Sequence, residues 1–165
     1  MAKDASFDIV SEYDLAAMIN IVDQVKREIA TRYDFQGTGA QIEFDRDAQA
    51  LKLSANSELK VRAIVDIIES KFIKREVSLK FLDKSQDVVE TGMTYTLTLP
   101  LKQGLDQEKA KLVSKIIRDN HPKAKPNIQG DSVRVTSPSK DVLQAVMASL
   151  KAADLDFPIA FTNYR

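Results

Sequence analysis

Basic side chains and carboxamides gather in this 165-residue chain at positions where the residue pattern predicts elements to end. Arg27 and Arg32 close one predicted helix and Lys74-Arg75 a second. Lys102-Gln103-Gly104 falls at a strand-to-helix turn, Gln129-Gly130 at a hairpin turn, and Asn163-Tyr164-Arg165 follows the last strand. The chemistry this suggests is anion and base-edge recognition. A guanidinium or ammonium group holds phosphate, and a carboxamide reads the edges of a base or ribose. After Lys102, the backbone N–H groups that open the next helix can share a phosphate with the lysine. Taken singly, each basic pair is more simply a solvated helix end that complements the helix dipole. Together they are more suggestive.

Catalytic chemistry finds little support. The chain has no cysteine, which removes disulfides, thiolate nucleophiles and cysteine metal sites. His121 is the only histidine and sits before Pro122, where a solvated helix-terminal residue is the simplest reading. No nucleophile elbow surrounds a serine, no acidic metal-loop spacing occurs, and Gly37-Thr38-Gly39 lacks the lysine and spacing of a P-loop. By elimination, no enzyme, catalytic residue, metal or cofactor is expected. No apolar run of 18 residues exists, and the opening MAKDASFDIVSE is not a secretory leader, so a cytoplasmic protein without a membrane span is expected. The zero net charge is uneven. Residues 1–90 carry 13 basic and 17 acidic side chains, and residues 91–165 carry 11 and 7. This asymmetry fits either attraction between the halves or an anion site biased to the second half.

The elements that must position these residues occur twice, at an offset of 82. Leu51 and Leu53 map onto Val133 and Val135, Ser57 onto Ser139, and Val61, Ile64, Val65 and Ile68 onto Leu143, Val146, Met147 and Leu150. A repeat this long is two copies of a small domain rather than a solenoid. The first copy reads as a strand at 6–10, a helix capped by Ser11 with Asp14, strands from Ile42 and to Leu53, a helix after Ser57, and a strand over Leu79 and Phe81. Residues 83–92 read as a polar linker. Met93, Tyr95, Leu97, Leu99 and Leu101 then alternate with polar residues, the cleanest strand signal present. A helix from Asp106, a hairpin through Gln129-Gly130, a helix started by Pro138-Ser139 and a strand over Phe157, Ile159 and Phe161 complete the second copy. The fold class is therefore α+β: two tandem ferredoxin-like βαββαβ sandwiches with antiparallel four-stranded sheets.

Such sheets can bind RNA by stacking bases on aromatic side chains that face away from the helices. Here Phe7, Phe44, Phe81, Tyr95, Phe157 and Phe161 fall in register with the apolar positions. The opposite register carries Asp8, Gln41, Glu43, Lys52, Lys80, Thr94, Thr96, Thr98, Arg134 and Thr162, with Tyr164 as its expected aromatic exception. Aromatic-stacked RNA recognition is disfavoured.

Over essentially its whole length the chain resembles the YajQ family of small bacterial proteins. The resemblance is carried by Ser6-Phe7-Asp8-Ile9-Val10-Ser11-Glu12, Arg32-Tyr33-Asp34-Phe35, Leu101-Lys102-Gln103-Gly104-Leu105, Ile128-Gln129-Gly130, Val133-Arg134-Val135-Thr136, Asp141 to Met147 and Phe161-Thr162-Asn163-Tyr164-Arg165. It implies ferredoxin-like domains that exchange their first strands. The first domain would span 11–101, completed by the strand at 93–101, and the second 1–10 with 102–165. It also implies a non-enzymatic nucleotide-binding protein, with ATP, GTP or cyclic di-GMP as ligand and a transcription factor as partner of a cyclic di-GMP effector. Arg32, Lys102, Gln103, Gln129, Asn163 and Arg165 match the family blocks at polar positions and are the expected nucleotide-binding residues. Ser137-Pro138-Ser139 departs from the family's usual Gly-Lys-Ser/Thr and removes a basic residue. The alternative is an RNA- or protein-binding adaptor that needs no nucleotide.

Overall fold

The described residues form eight strands, most of them marked by alternation of apolar and polar residues, and four α-helices with helical apolar periodicity. The computed structural model describes residues 4–153 and 155–165. In chain order the elements are β1 (Ala5–Val10), α1 (Leu15–Thr31), β2 (Gln41–Asp45), β3 (Ala50–Ala55), α2 (Glu58–Lys74), β4 (Val89–Thr91), β5 (Thr94–Pro100), α3 (Gln107–Asn120), β6 (Lys125–Gln129), β7 (Ser132–Ser137), α4 (Lys140–Ala152) and β8 (Ala160–Thr162). The 82-residue echo survives in the fold: β3 and β7 occupy equivalent positions, and Ser57 and Ser139 cap the helices that follow them.

The strands form two antiparallel four-stranded sheets in the orders β2-β3-β5-β4 and β6-β7-β1-β8. The first strand of each copy is therefore an interior strand of the other copy's sheet. β1 pairs with β7, Asp8 opposite Arg134, and with β8, Ile9 opposite Phe161. β5 pairs with β3, Leu97 opposite Leu53, and with β4. The chain divides into two compact units, Tyr13–Lys102 and Met1–Glu12 with Gln103–Arg165.

In Tyr13–Lys102, α1 and α2 bury Ile21, Val25, Ile64, Ile68 and Phe72 against Leu51, Leu53, Leu97 and Leu99. In the other unit, Val113 and Ile117 of α3 and Leu143, Val146 and Leu150 of α4 cover Phe7, Ile9, Val133 and Val135. Each sheet therefore turns one face to its helices, and the alternate residues face away. The aromatic side chains lie on the core side of the sheets, as expected. Phe7, Phe81 and Phe157 are buried, and Phe44, Tyr95 and Phe161 pack against the cores.

Several details differ from the sequence reading. Leu79–Phe81 is a 3-10 turn rather than a strand: Ser78 Oγ accepts the Lys80 N–H, and i to i+3 backbone bonds follow. Two alternating apolar residues are too few to separate these conformations. The copy's last strand lies instead at Val89–Thr91, inside the segment read as a linker. Gly92 (φ 63) and Met93 form the two-residue hairpin turn that joins it to β5, with Gly92 in the left-handed conformation the first turn position requires. β8 begins only at Ala160, leaving Phe157 as a core plug ahead of it. Pro138 precedes the α4 cap Ser139 instead of opening the helix, and Asp14 alone caps α1. Ser11 is buried, and its hydroxyl has no hydrogen-bond partner among the described residues.

Candidate functional site

The strongest polar constellation lies in the unit Met1–Glu12 with Gln103–Arg165, on the sheet face away from α3 and α4. Strand pairing places Asp8 opposite Arg134, and Arg134 opposite Asn127 on its other side. Gln129 lies opposite Ser132, two residues along the same face. Arg134 donates through Nε to Asp8 Oδ1 (2.9 Å) and through Nη2 to Oδ2 (3.2 Å). Asn163 Nδ2 donates to the same Oδ2 at 2.9 Å. Asp8 is only 5% exposed, although its face carries no helix.

The chain end supplies the third side of this cluster. After β8, Asn163 takes a left-handed conformation (φ 55), which asparagine tolerates better than most residues. The chain then resumes pairing, with Ser6 and Arg165 exchanging both backbone hydrogen bonds. This extra residue aims Asn163 at Asp8 and brings the Tyr164 ring to 6.4 Å from the Phe7 ring, nearly parallel to it. Tyr164 thus packs beside a core residue, contrary to its expected place on the polar face.

The Arg134 guanidinium is the main reason the Asp8 carboxyl ionises below its usual range; burial opposes this, and Asn163 and the more distant charge of Arg165 support it. Since the folded value is depressed, the pair's stabilisation is complete above the pH at which an unfolded aspartate ionises, about 4. It is lost as pH falls through the folded value. Asp8→Asn is expected to destabilise the protein by about 2 kcal/mol at neutral pH, the worth of hydrogen bonds to a charged group. In urea titrations the gap between variant and wild type should close as the pH drops below that of free aspartate. A gap that stays constant into strong acid would contradict this assignment.

The expected nucleotide-binding residues separate. Gln129, Asn163 and Arg165 belong to the cluster just described. Gln103 is exposed in the segment leading to α3, where Gly104 N–H donates to the Ser11 carbonyl at 2.7 Å. Lys102 closes the unit Tyr13–Lys102, its N–H bonded to the Phe81 carbonyl. The α3 N-terminus offered to a phosphate already holds an anion, because the Asp106 carboxylate accepts the Lys109 N–H at 2.9 Å. Arg32 is committed within its own unit. Its Nε and Nη2 clasp Asp34 (3.0 and 2.9 Å), Nη1 reaches Glu28 (3.4 Å), and the group lies 5.0 Å from the Phe35 ring centre. Lys60 and Lys71 complete this clamp by pairing with Asp34 and Glu28. Asp8, Asn127 and Arg134 were absent from the expected set, since only strand pairing reveals that they meet.

The uneven charge also has an account. Counted by unit, Tyr13–Lys102 holds 13 basic and 14 acidic residues, and the other unit 11 and 10. Asp4, Asp8 and Glu12 travel with β1 into the basic half of the sequence and nearly cancel its excess. His121 is not a free helix end either; its Nε2 lies 2.7 Å from Ser149 Oγ on α4.

Among the described residues, no helix is long and apolar enough to cross a membrane. A family model described as nucleotide-binding protein YajQ-like matches residues 5–165. A protein of Nocardioides named nucleotide-binding protein is 47% identical over 163 residues, covering 98% of this chain and 99% of the relative. One of Mycobacterium tuberculosis with the same name shows the same identity and coverage. One of Thermobifida fusca is 45% identical over 166 residues and the full length of both chains. With a family match across nearly every residue and relatives this similar end to end, the chain belongs to the YajQ-like family.

Proposed function

We propose that this chain is a non-enzymatic nucleotide-binding protein and that the nucleotide lies on the polar sheet face of the unit containing β1. The observation that carries this reading is the set of cationic and carboxamide residues there: Arg134 and Asn163 bond one buried carboxylate, Arg165 acts on it by charge, and Asn127 and Gln129 follow along the same face. Arginine supplies phosphate contacts, and carboxamides supply base or ribose contacts. The relatives' names support the ligand class. The finer reading is that the ligand is cyclic di-GMP and that the complex acts with a transcription factor. Two arginines on one face suit a ligand with two phosphates.

Calorimetry with ATP, GTP and cyclic di-GMP tests this directly. At least one should bind with Kd below about 1 mM, roughly −4 kcal/mol. Arg165→Ala should weaken that binding about tenfold, the loss of one charge-assisted contact. If none of the three binds, the nucleotide reading falls.

A second reading rests on a different surface. In Tyr13–Lys102, Tyr33, Leu59 and Met93 are 87%, 76% and 89% exposed, as suits contact with a macromolecule. An RNA- or protein-binding adaptor would capture its partner equally well with or without nucleotide.

A further inference from the structure

We propose that Arg134 holds the ligand's phosphate and that Asp8 and Asn163 are positioning residues that aim it. The inference rests on the nucleotide reading above and adds a site and a mechanism to it. A guanidinium carries five N–H donors in a rigid plane. Asp8 occupies one edge of that plane, through Nε and one N–H of Nη2. Among the described residues, no other hydrogen-bond partner of Arg134 is present, and its side chain is 32% exposed. The outer edge, Nη1 with the second N–H of Nη2, is therefore oriented and open to water. An edge fixed in this way has already lost the rotamer freedom that an arginine otherwise gives up on binding. Its geometry matches two oxygens of a phosphate.

The anchor is itself fixed. Asp8 sits on an interior strand between β7 and β8, and Asn163 holds the carboxylate oxygen that Nη2 shares. The left-handed turn at Asn163 is what brings that amide to Asp8. Asn127, directly across from Arg134, and Gln129 offer neighbouring carboxamides on the same face. The ligand class is thus a phosphate-bearing small molecule. A neutral nucleoside offers this edge no charge-assisted contact.

Charge and positioning make opposite predictions, which gives the test its power. If Asp8 only offsets charge, Asp8→Asn makes the face more positive and should tighten anion binding. If Asp8 aims Arg134, the same change should loosen it. The probe is inorganic pyrophosphate, titrated into wild type, Asp8→Asn and Arg134→Lys by calorimetry and by NMR of the arginine Nε–H signals. Amide spectra verify the fold of each variant.

In wild type the Arg134 Nε–H signal should be sharp and should shift on titration. Arg134→Lys keeps the charge and loses the fork, and should weaken binding about tenfold. Asp8→Asn should weaken it severalfold and broaden the Nε–H signal. If Asp8→Asn does not fold, Asn163→Gly keeps the left-handed backbone without its amide, and should weaken binding about two- to threefold. Pyrophosphate binding that is unchanged in Arg134→Lys, or unchanged or tighter in Asp8→Asn or Asn163→Gly, overturns the proposal, as does wild type that binds no pyrophosphate. Nucleotides that bind wild type and Arg134→Lys equally would leave the nucleotide reading standing and move the site elsewhere. Nucleotides that bind neither would end that reading as well.

Discussion

Fragments 1–92 and 93–165, made by cutting the chain between its two copies, are each expected to be unfolded, whereas residues 13–102 alone should fold cooperatively. The copy boundary falls in the two-residue turn between β4 and β5, so the cut severs a hairpin inside one sheet. Fragment 1–92 then lacks β5, the interior strand that supplies Leu97 and Leu99 to its core. Fragment 93–165 lacks β1 and with it Phe7 and Ile9. A sheet that loses an interior strand forfeits two ladders at once and opens its apolar face to water. At this size no reserve of core offsets the loss. Residues 13–102 retain all four strands of their sheet and both covering helices. Circular dichroism and amide dispersion of the three purified fragments decide the matter. A cooperative unfolding transition in 1–92 would contradict the strand assignment.

Phe7→Ala is expected to remove about 3–5 kcal/mol, the usual range for deleting a fully buried phenyl ring. That is a large share of the 5–15 kcal/mol by which domains are typically stable. The ring is fully buried, lies edge-on to Phe161 at 5.5 Å, and has the Tyr164 ring 6.4 Å away. The location of the damage is the more telling result. Phe7 stands seven residues from the start of the sequence, yet protection from hydrogen exchange should fall at Val133, Val135 and the neighbouring β7 amides. Protection at Leu51 and Leu53 should change far less. Equal loss at both sets of amides would show that the two cores unfold as one.

What the sequence disclosed depended on the range over which its signals act. Thr94 to Pro100 alternates across seven residues on a strand with one buried face, and periodicity reads such a segment directly. Ser57 and Ser139 announce helices because capping is a contact within three residues. Val89–Thr91 gave no warning. All three residues are exposed at a sheet edge, so no burial pattern marks them, and only pairing with β5 makes them a strand. Leu79–Phe81 failed for the complementary reason, since burial there comes without extended backbone. In the polar cluster around β1, Gln129, Asn163 and Arg165 were legible as polar groups at element ends. Asp8 and Arg134 were not, because 126 residues separate them and each looks alone like an ordinary polar-face residue. Arg32 was legible as a basic helix end. Its carboxylate partners lie close by in sequence, Glu28 one helical turn before it and Asp34 two residues after, so this pairing was open to a sequence reading and was missed.

The placement of β1 also sets an order of events at the ribosome. It emerges before both of its sheet neighbours, β7 and β8, which follow the whole of residues 13–102. Residues 13–102 can be finished and folded while β1 is still unpaired, and at roughly 5–20 residues per second that wait lasts on the order of ten seconds. Throughout it, Phe7 and Ile9 belong to an uncovered strand with two free edges, the kind of segment that recruits other chains. Asp4, Asp8 and Glu12 punctuate that segment. A charge on an unpaired strand disfavours its pairing with other copies, and in the folded protein the same Asp8 carboxylate accepts both hydrogen bonds from Arg134.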